Sequence, residues 1–193
     1  MSEDIYVGPR RQLIKPICGE DYEKLYGVVN WDGKVVLDVG GSNGDSSSFF
    51  LSKGAIVCIN IDCNINHINE CRRYVHQFRL PIISICDNLS SPQQWQTYID
   101  MFRPDVVKVD CEGCEDSLMD IAIEVFRLVP EYLIEAHGEC IDKVIRRLPE
   151  YGYEIRDINA WAGKQATIIY AVRKTDGLHY FSRWTPEMRG ERK

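Results

Sequence analysis

Apolar residues come in short runs along this chain, and the stretches between the runs follow a different period. The runs near 35–39, 56–61, 82–86, 105–109 and 132–136 are rich in Val and Ile, as buried strands are. Between them apolar positions recur at helical spacing. Trp95, Tyr98, Ile99 and Phe102 follow the start signal Ser91-Pro92. Leu118, Ile121, Ala122, Val125 and Val129 make a second stripe, and Ile141, Val144, Ile145 and Leu148 a third, ended by Pro149 and Gly152. Residues Glu20 to Val29 predict a further short helix before the turn Trp31-Asp32-Gly33. Strands alternating with helices imply parallel βαβ units. The last two runs, near 153–158 and 166–172, have no helical pattern between them and predict an antiparallel pair. The pattern therefore predicts an α/β protein: a doubly wound, mostly parallel seven-stranded sheet with a C-terminal antiparallel hairpin.

Composition narrows this picture modestly. The 193 residues suit one domain, drawn here as 1–175, followed by a polar and aromatic tail at 176–193. A hydrophobic fraction of 45% with 27% charged residues is ordinary for a globular chain. The net charge of −6 argues against broad nucleic-acid binding. No apolar run is as long as a membrane span and Met1-Ser2-Glu3-Asp4 opens no signal peptide, so a cytoplasmic protein is expected. The eight cysteines are scattered rather than clustered as in secreted mini-proteins. Several lie in apolar runs, where cysteine packs as a small hydrophobe.

The chemistry starts at Val35-Val36-Leu37-Asp38-Val39-Gly40-Gly41-Ser42-Asn43-Gly44-Asp45-Ser46. An apolar strand runs into an acid and then a glycine-rich turn, which lets backbone come close to a ligand. The next acid at a strand end is Asp62, about where a nucleotide-binding βαβ unit puts its ribose-binding carboxylate. The glycines at 40, 41 and 44 do not reproduce G-x-G-x-x-G, which disfavours a dinucleotide.

The stretch Asp105-Val106-Val107-Lys108-Val109-Asp110-Cys111-Glu112-Gly113-Cys114-Glu115 resembles the D-V-I-K-I-D-V-E-G-A-E signature of FkbM-type S-adenosylmethionine-dependent methyltransferases. Asp38 to Gly44 looks like the first motif of that family, with Ser42 in place of a glycine, and Ile134-Glu135-Ala136-His137 is similar to its strand-five ending. The resemblance covers roughly 34–172 and implies a class I methyltransferase fold, S-adenosylmethionine as cofactor, and O-methylation of a sugar or small metabolite. It departs from the family at Cys111 and Cys114, which stand at apolar or small positions.

On this reading the cofactor residues are Asp38, Gly40, Gly41, Ser42, Asn43, Gly44, Asp62 and Asp87. Asp38 fixes the loop or approaches the methionine moiety, Asp62 accepts from the ribose hydroxyls, and Asp87 accepts from the adenine amino group. Asp110 ends strand four, while Glu135 and His137 end strand five. Ligands of open α/β sheets sit beyond such ends, so these three are the candidate catalytic residues, with His137 suited as base. Asp110 could instead cap a helix, orient the acceptor or take part in a metal site, although no metal is expected. Lys108 should pair with a carboxylate. Glu115, in the first turn of a helix, is expected only to favour the dipole. Redox catalysis by Cys111-x-x-Cys114 and a zinc site at Cys63, His67 and Cys71 are weighed and set aside. The acceptor is expected to be a small molecule or glycan. Tyr180, Phe181, Arg183, Trp184 and Arg189 in the tail leave RNA or protein methylation as an alternative, and a non-catalytic cofactor-binding module is another.

Overall fold

The computed structural model describes residues 12–16, 19–160 and 166–174. Cys18, residues 161–165 and the tail from 176 with its aromatic and basic residues lie outside them.

Seven strands form one sheet: β1 (Val35–Val39), β2 (Val57–Asp62), β3 (Ile82–Cys86), β4 (Val106–Val109), β5 (Glu131–His137), β6 (Tyr153–Ala160) and β7 (Ala166–Arg173). Their order is β3-β2-β1-β4-β5-β7-β6. The first five are parallel, and β7 returns antiparallel between β5 and β6. The sequence pattern gives this architecture because fully buried parallel strands read as continuous apolar runs.

Successive side chains alternate between the two faces of the sheet. Leu37, Val39, Ile59, Ile61, Val107, Val109, Tyr132 and Ile134 pack on one side, against residues of α4 (Pro92–Phe102), α5 (Cys114–Leu118), α6 (Ile123–Phe126) and α7 (Cys140–Glu150). Val36, Cys58, Val106 and Leu133 pack on the other, with residues of α1 (Tyr22–Tyr26), α2 (Asp45–Ser52) and α3 (Ile65–Phe78). Asp38, Lys108 and Glu135 lie two residues along from Val36, Val106 and Leu133, so they share the α1–α2 face.

Helix α4 opens on a capping box: Ser91 and Gln94 each bond the other's backbone N–H, with Pro92 in the first turn. The stripe from Leu118 to Val129 is not one helix. It is divided into α5 and α6 by tight turns in which Asp120 and Ile121 donate to Ser117 and Leu118 carbonyls. Ala122 then adopts extended backbone, with ψ 136°. Leu118, Ile121, Val125 and Val129 are all buried nonetheless, so the period reported burial rather than helical continuity. Helix α7 runs one residue past Pro149, which is tolerated in its last turn. No described helix is long and apolar enough to cross a membrane.

Candidate active site

The turn after β1 is pressed onto its neighbours. Gly40 has φ +72°, and a Cβ there would stand 1.7 Å from the Asp110 carbonyl oxygen. A Cβ on Gly41 would meet Asn60 Oδ1 at 2.4 Å and Asp38 Oδ2 at 2.7 Å. The close approach that glycine permits is thus to the protein's own strands. Asp38 is fully buried and away from the cavities. Its Oδ2 accepts from Ser46 Oγ at 2.6 Å and Ser47 Oγ at 2.7 Å, tying the turn to α2. Asn43 is buried as well, and Gly44 precedes α2 as its N-cap. From this loop, Gly40 and Ser42 reach the cavity wall.

Two adjoining cavities open at the carboxyl ends of the parallel strands, sharing Gly40, His67, Asp110 and Glu112. The smaller, of about 390 Å³, is bordered by Asp62, Asp87, Leu89 and Cys111. Asp62 Oδ2 accepts from Ser42 N at 3.0 Å and Oδ1 from Asn64 N at 2.8 Å, which fixes the carboxylate while further lone pairs remain. Asp87 is held by Tyr98 Oη at 2.6 Å and Gln94 Nε2 at 3.2 Å. Among the described residues no lysine or arginine lines this cavity. With Asp62 and Asp87 on its wall it suits a phosphate-free nucleoside better than a pyrophosphate.

The larger cavity, of about 810 Å³, is bordered by Glu20, Asp45, Lys108, Asp110, Glu135 and His137, among others. Lys108, from the middle of β4, is buried and reaches Asp38 Oδ1 at 3.2 Å, Asp110 Oδ2 at 3.8 Å and the Gly40 carbonyl at 3.3 Å. Burial opposes its charge, but Asp38 and Asp110 outweigh that and hold it protonated, above the ordinary lysine range. Glu135 is pushed up to about 7, first by burial and then by the charge of Asp110. The structure therefore brings the three expected catalytic residues together: Asp110, Glu135 and His137 each bring one donor atom within 4.8 Å of the others. A proton taken up by Glu135 relieves the crowding of charge.

Glu115 departs from expectation. Instead of serving only the helix dipole, it is fully buried and holds the histidine, its Oε1 lying 2.7 Å from His137 Nδ1. Its Oε2 accepts from Gly113 N at 2.5 Å. His137 Nε2 is left facing Glu135 Oε1 at 3.6 Å. Burial pulls the His137 pKa down, yet the Glu115 hydrogen bond and charge, followed by Glu135 and Asp110, raise it above the ordinary histidine value. A signal existed in the sequence: Glu115 lies three residues before Leu118, on the stripe that is buried. His67, bonded to Ser42 Oγ at 3.4 Å and 3.5 Å from Asp62, lines both cavities, whereas in the sequence it stood out only as part of a zinc site.

The cysteines divide by place. Cys58 and Cys71 are buried, and Cys71 Sγ meets Asn60 Nδ2 at 3.3 Å and Ser84 Oγ at 3.1 Å, while Cys63 is exposed. His67 and Cys71 therefore face different partners. Cys111 and Cys114 are not independent small packing residues. They are joined by a disulfide, with Cα atoms 5.7 Å apart.

No model of a known protein family matches the chain. It is similar to two viral proteins of unknown function. One is uncharacterized protein 65 of Sulfolobus islandicus filamentous virus, at 25% identity over 117 residues, 61% of this chain and 68% of the relative. The other is uncharacterized protein 158B of Sulfolobus islandicus rod-shaped virus 1, at 27% over 124 residues, 61% and 69%. Solved structures with the same architecture include fibrillarin from Aeropyrum pernix with bound S-adenosylmethionine (TM-score 0.56, 18% identity, 75% of this chain and 69% of that one). Magnesium protoporphyrin IX methyltransferase from Synechocystis PCC 6803 aligns with TM-score 0.56 at 14% identity, over 78% and 75%. TrmK from M. capricolum, in complex with S-adenosylhomocysteine, aligns with 0.57 at 13% identity, over 81% and 70%. The fold is that of the class I methyltransferases.

Proposed function

We propose that this chain is an S-adenosylmethionine-dependent methyltransferase of FkbM type that methylates a hydroxyl of a sugar or other small molecule. The observation that carries the reading is the pair of adjoining cavities. One offers the fixed carboxylates Asp62 and Asp87, the other a histidine, His137, backed by a buried carboxylate, and they meet at Gly40 and Asp110. In the first, Asp62 would hold the ribose hydroxyls and Asp87 the adenine amino group, with Gly40 and Ser42 along the chain of the ligand. The cofactor supplies an electrophilic methyl group on a sulfonium. Asp110, Glu135 and His137 then act on the acceptor. Asp110 orients the hydroxyl, His137 Nε2 takes its proton, and Glu115 steadies the ring through Nδ1. Residues 1–175 would be one catalytic unit, with 176–193 appended, working in the cytoplasm.

The carboxylates around the larger cavity favour a neutral acceptor over RNA, whose phosphates they would repel. The partly exposed His137 held by buried Glu115 favours an enzyme over a binding module, because an oriented histidine at a cavity wall serves proton transfer.

The Asp62→Ala variant tests the cofactor half. It should lose charge-assisted bonds worth about 1.5–3 kcal/mol, a roughly ten- to hundred-fold drop in S-adenosylmethionine affinity by calorimetry. Unchanged affinity, or tighter binding of NAD, would sink the assignment. Turnover of labelled S-adenosylmethionine with a cell extract should identify the acceptor fraction. That turnover should persist in excess chelator, since proton transfer uses side chains alone. Loss in EDTA with recovery on adding magnesium would reassign Asp110.

A further inference from the structure

The segment between β4 and α5 is a closed ring of four residues, Cys111 to Cys114, and it forms part of the wall of both cavities. Inside the ring, Glu112 has φ +49° and Gly113 φ +126°, conformations that a non-glycine residue, in the case of Glu112, adopts at a cost. The Gly113 N–H points at Glu115 Oε2, and the other oxygen of the same carboxylate orients His137. One short chain of contacts therefore runs from the disulfide through the ring backbone to the buried carboxylate and the histidine. The sequence stretch that matches the family signature has valine and alanine where this chain has the two cysteines, so the cross-link is an addition to the loop.

We propose that Cys111–Cys114 is a reversible thiol-exchange site, reactive toward small dithiols, whose closed form holds Glu115 and His137 in working alignment. Both cysteines border the smaller cavity, but Cys111 is partly exposed and Cys114 buried, so an incoming thiolate attacks Cys111 Sγ. The S–S bond breaks and Cys114 leaves as a thiolate that takes a proton. The second thiol of the reductant then displaces Cys111 from the mixed disulfide, and Cys111 takes a second proton. Two electrons and two protons enter the protein, and the dithiol leaves as its cyclic disulfide. With the ring open, residues 112 and 113 relax toward ordinary backbone, the Gly113 N–H leaves Glu115, and the buried carboxylate loses the partner that fixed its second oxygen. His137 is then less well held. This consequence for turnover rests on the catalytic role given to His137 above, but the coupling from thiol to histidine does not.

The full chain, oxidised or treated with dithiothreitol, is followed by intact mass and by NMR titration of its four histidines. The oxidised protein should weigh two hydrogens less, and reduction should move the His137 pKa down toward the ordinary histidine value. Glu115→Gln should give a similar low value in both redox states. Cys111→Val/Cys114→Ala, which keeps the packing, should give a His137 titration that ignores the reductant. Identical His137 titrations in oxidised and reduced wild type would overturn the proposal. So would a chain carrying both thiols free after oxidant, or a reductant response that survives in the double variant. None of these readouts needs cofactor or acceptor, so a failed methylation assay and a failed switch remain separate results.

Discussion

Replacing His137 by alanine should lower kcat by about 10²–10⁴-fold while leaving S-adenosylmethionine affinity unchanged. The side chain meets the acceptor proton rather than the cofactor, so the loss belongs to the chemical step. The pH profile supplies the sign. The histidine acts when neutral, and its pKa is raised, so the wild-type rate should fall as pH drops through that raised value. Glu115→Gln removes the contact that raises it most. The acid limb should therefore shift to lower pH, and the plateau should drop because the ring is less well oriented. Profiles of kcat against pH for wild type and both variants check this. Full turnover in His137→Ala with an unchanged profile would remove the base from His137.

Lys108→Met should cost about 3–5 kcal/mol of stability, the penalty for leaving one partner of a buried ion pair without the other. Asp38 stays buried and hydrogen-bonded to two serines, so it cannot escape to water. Adding Asp38→Asn to the variant should recover part of the loss by removing the orphaned charge. Urea unfolding followed by circular dichroism reads both midpoints. A loss under about 1 kcal/mol in Lys108→Met would mean that solvent reaches Asp38 after all.

Much of this fold can be read from the chain because its parallel strands are buried on both faces. A run such as Val35 to Val39 has no other stable place, and the missing helical pattern between the last two strands predicts their antiparallel pairing, while the placement of β7 beside β5 came from the structure. The site was less legible. Asp110, Glu135 and His137 stand at strand ends, and strand ends can be located from sequence. The grip of Glu115 on His137 spans 22 residues and depends on how α5 docks, which no local pattern encodes. Lys108 looked anomalous in an apolar strand, but identifying Asp38 as its partner needed the pairing of β1 with β4. The break between α5 and α6 was hidden for the opposite reason: the apolar spacing continues across it.

That lysine bears on how the sheet assembles. In the β1–β4 pairing Asp38 stands opposite Lys108, flanked by Leu37 opposite Val107 and Val39 opposite Val109. Sliding β4 by one residue would leave some valines facing leucine or valine, but it would set Asp38 against a valine and Lys108 against Leu37 or Val39. It would also turn the ammonium to the opposite face of the sheet, into a layer of Leu37, Val39 and Tyr132 with no carboxylate to receive it. In a sheet centre built of nearly interchangeable aliphatic residues, the pair is the element that tells one alignment from the next. It thereby decides which residues of β4 end up at the mouth of the cavity.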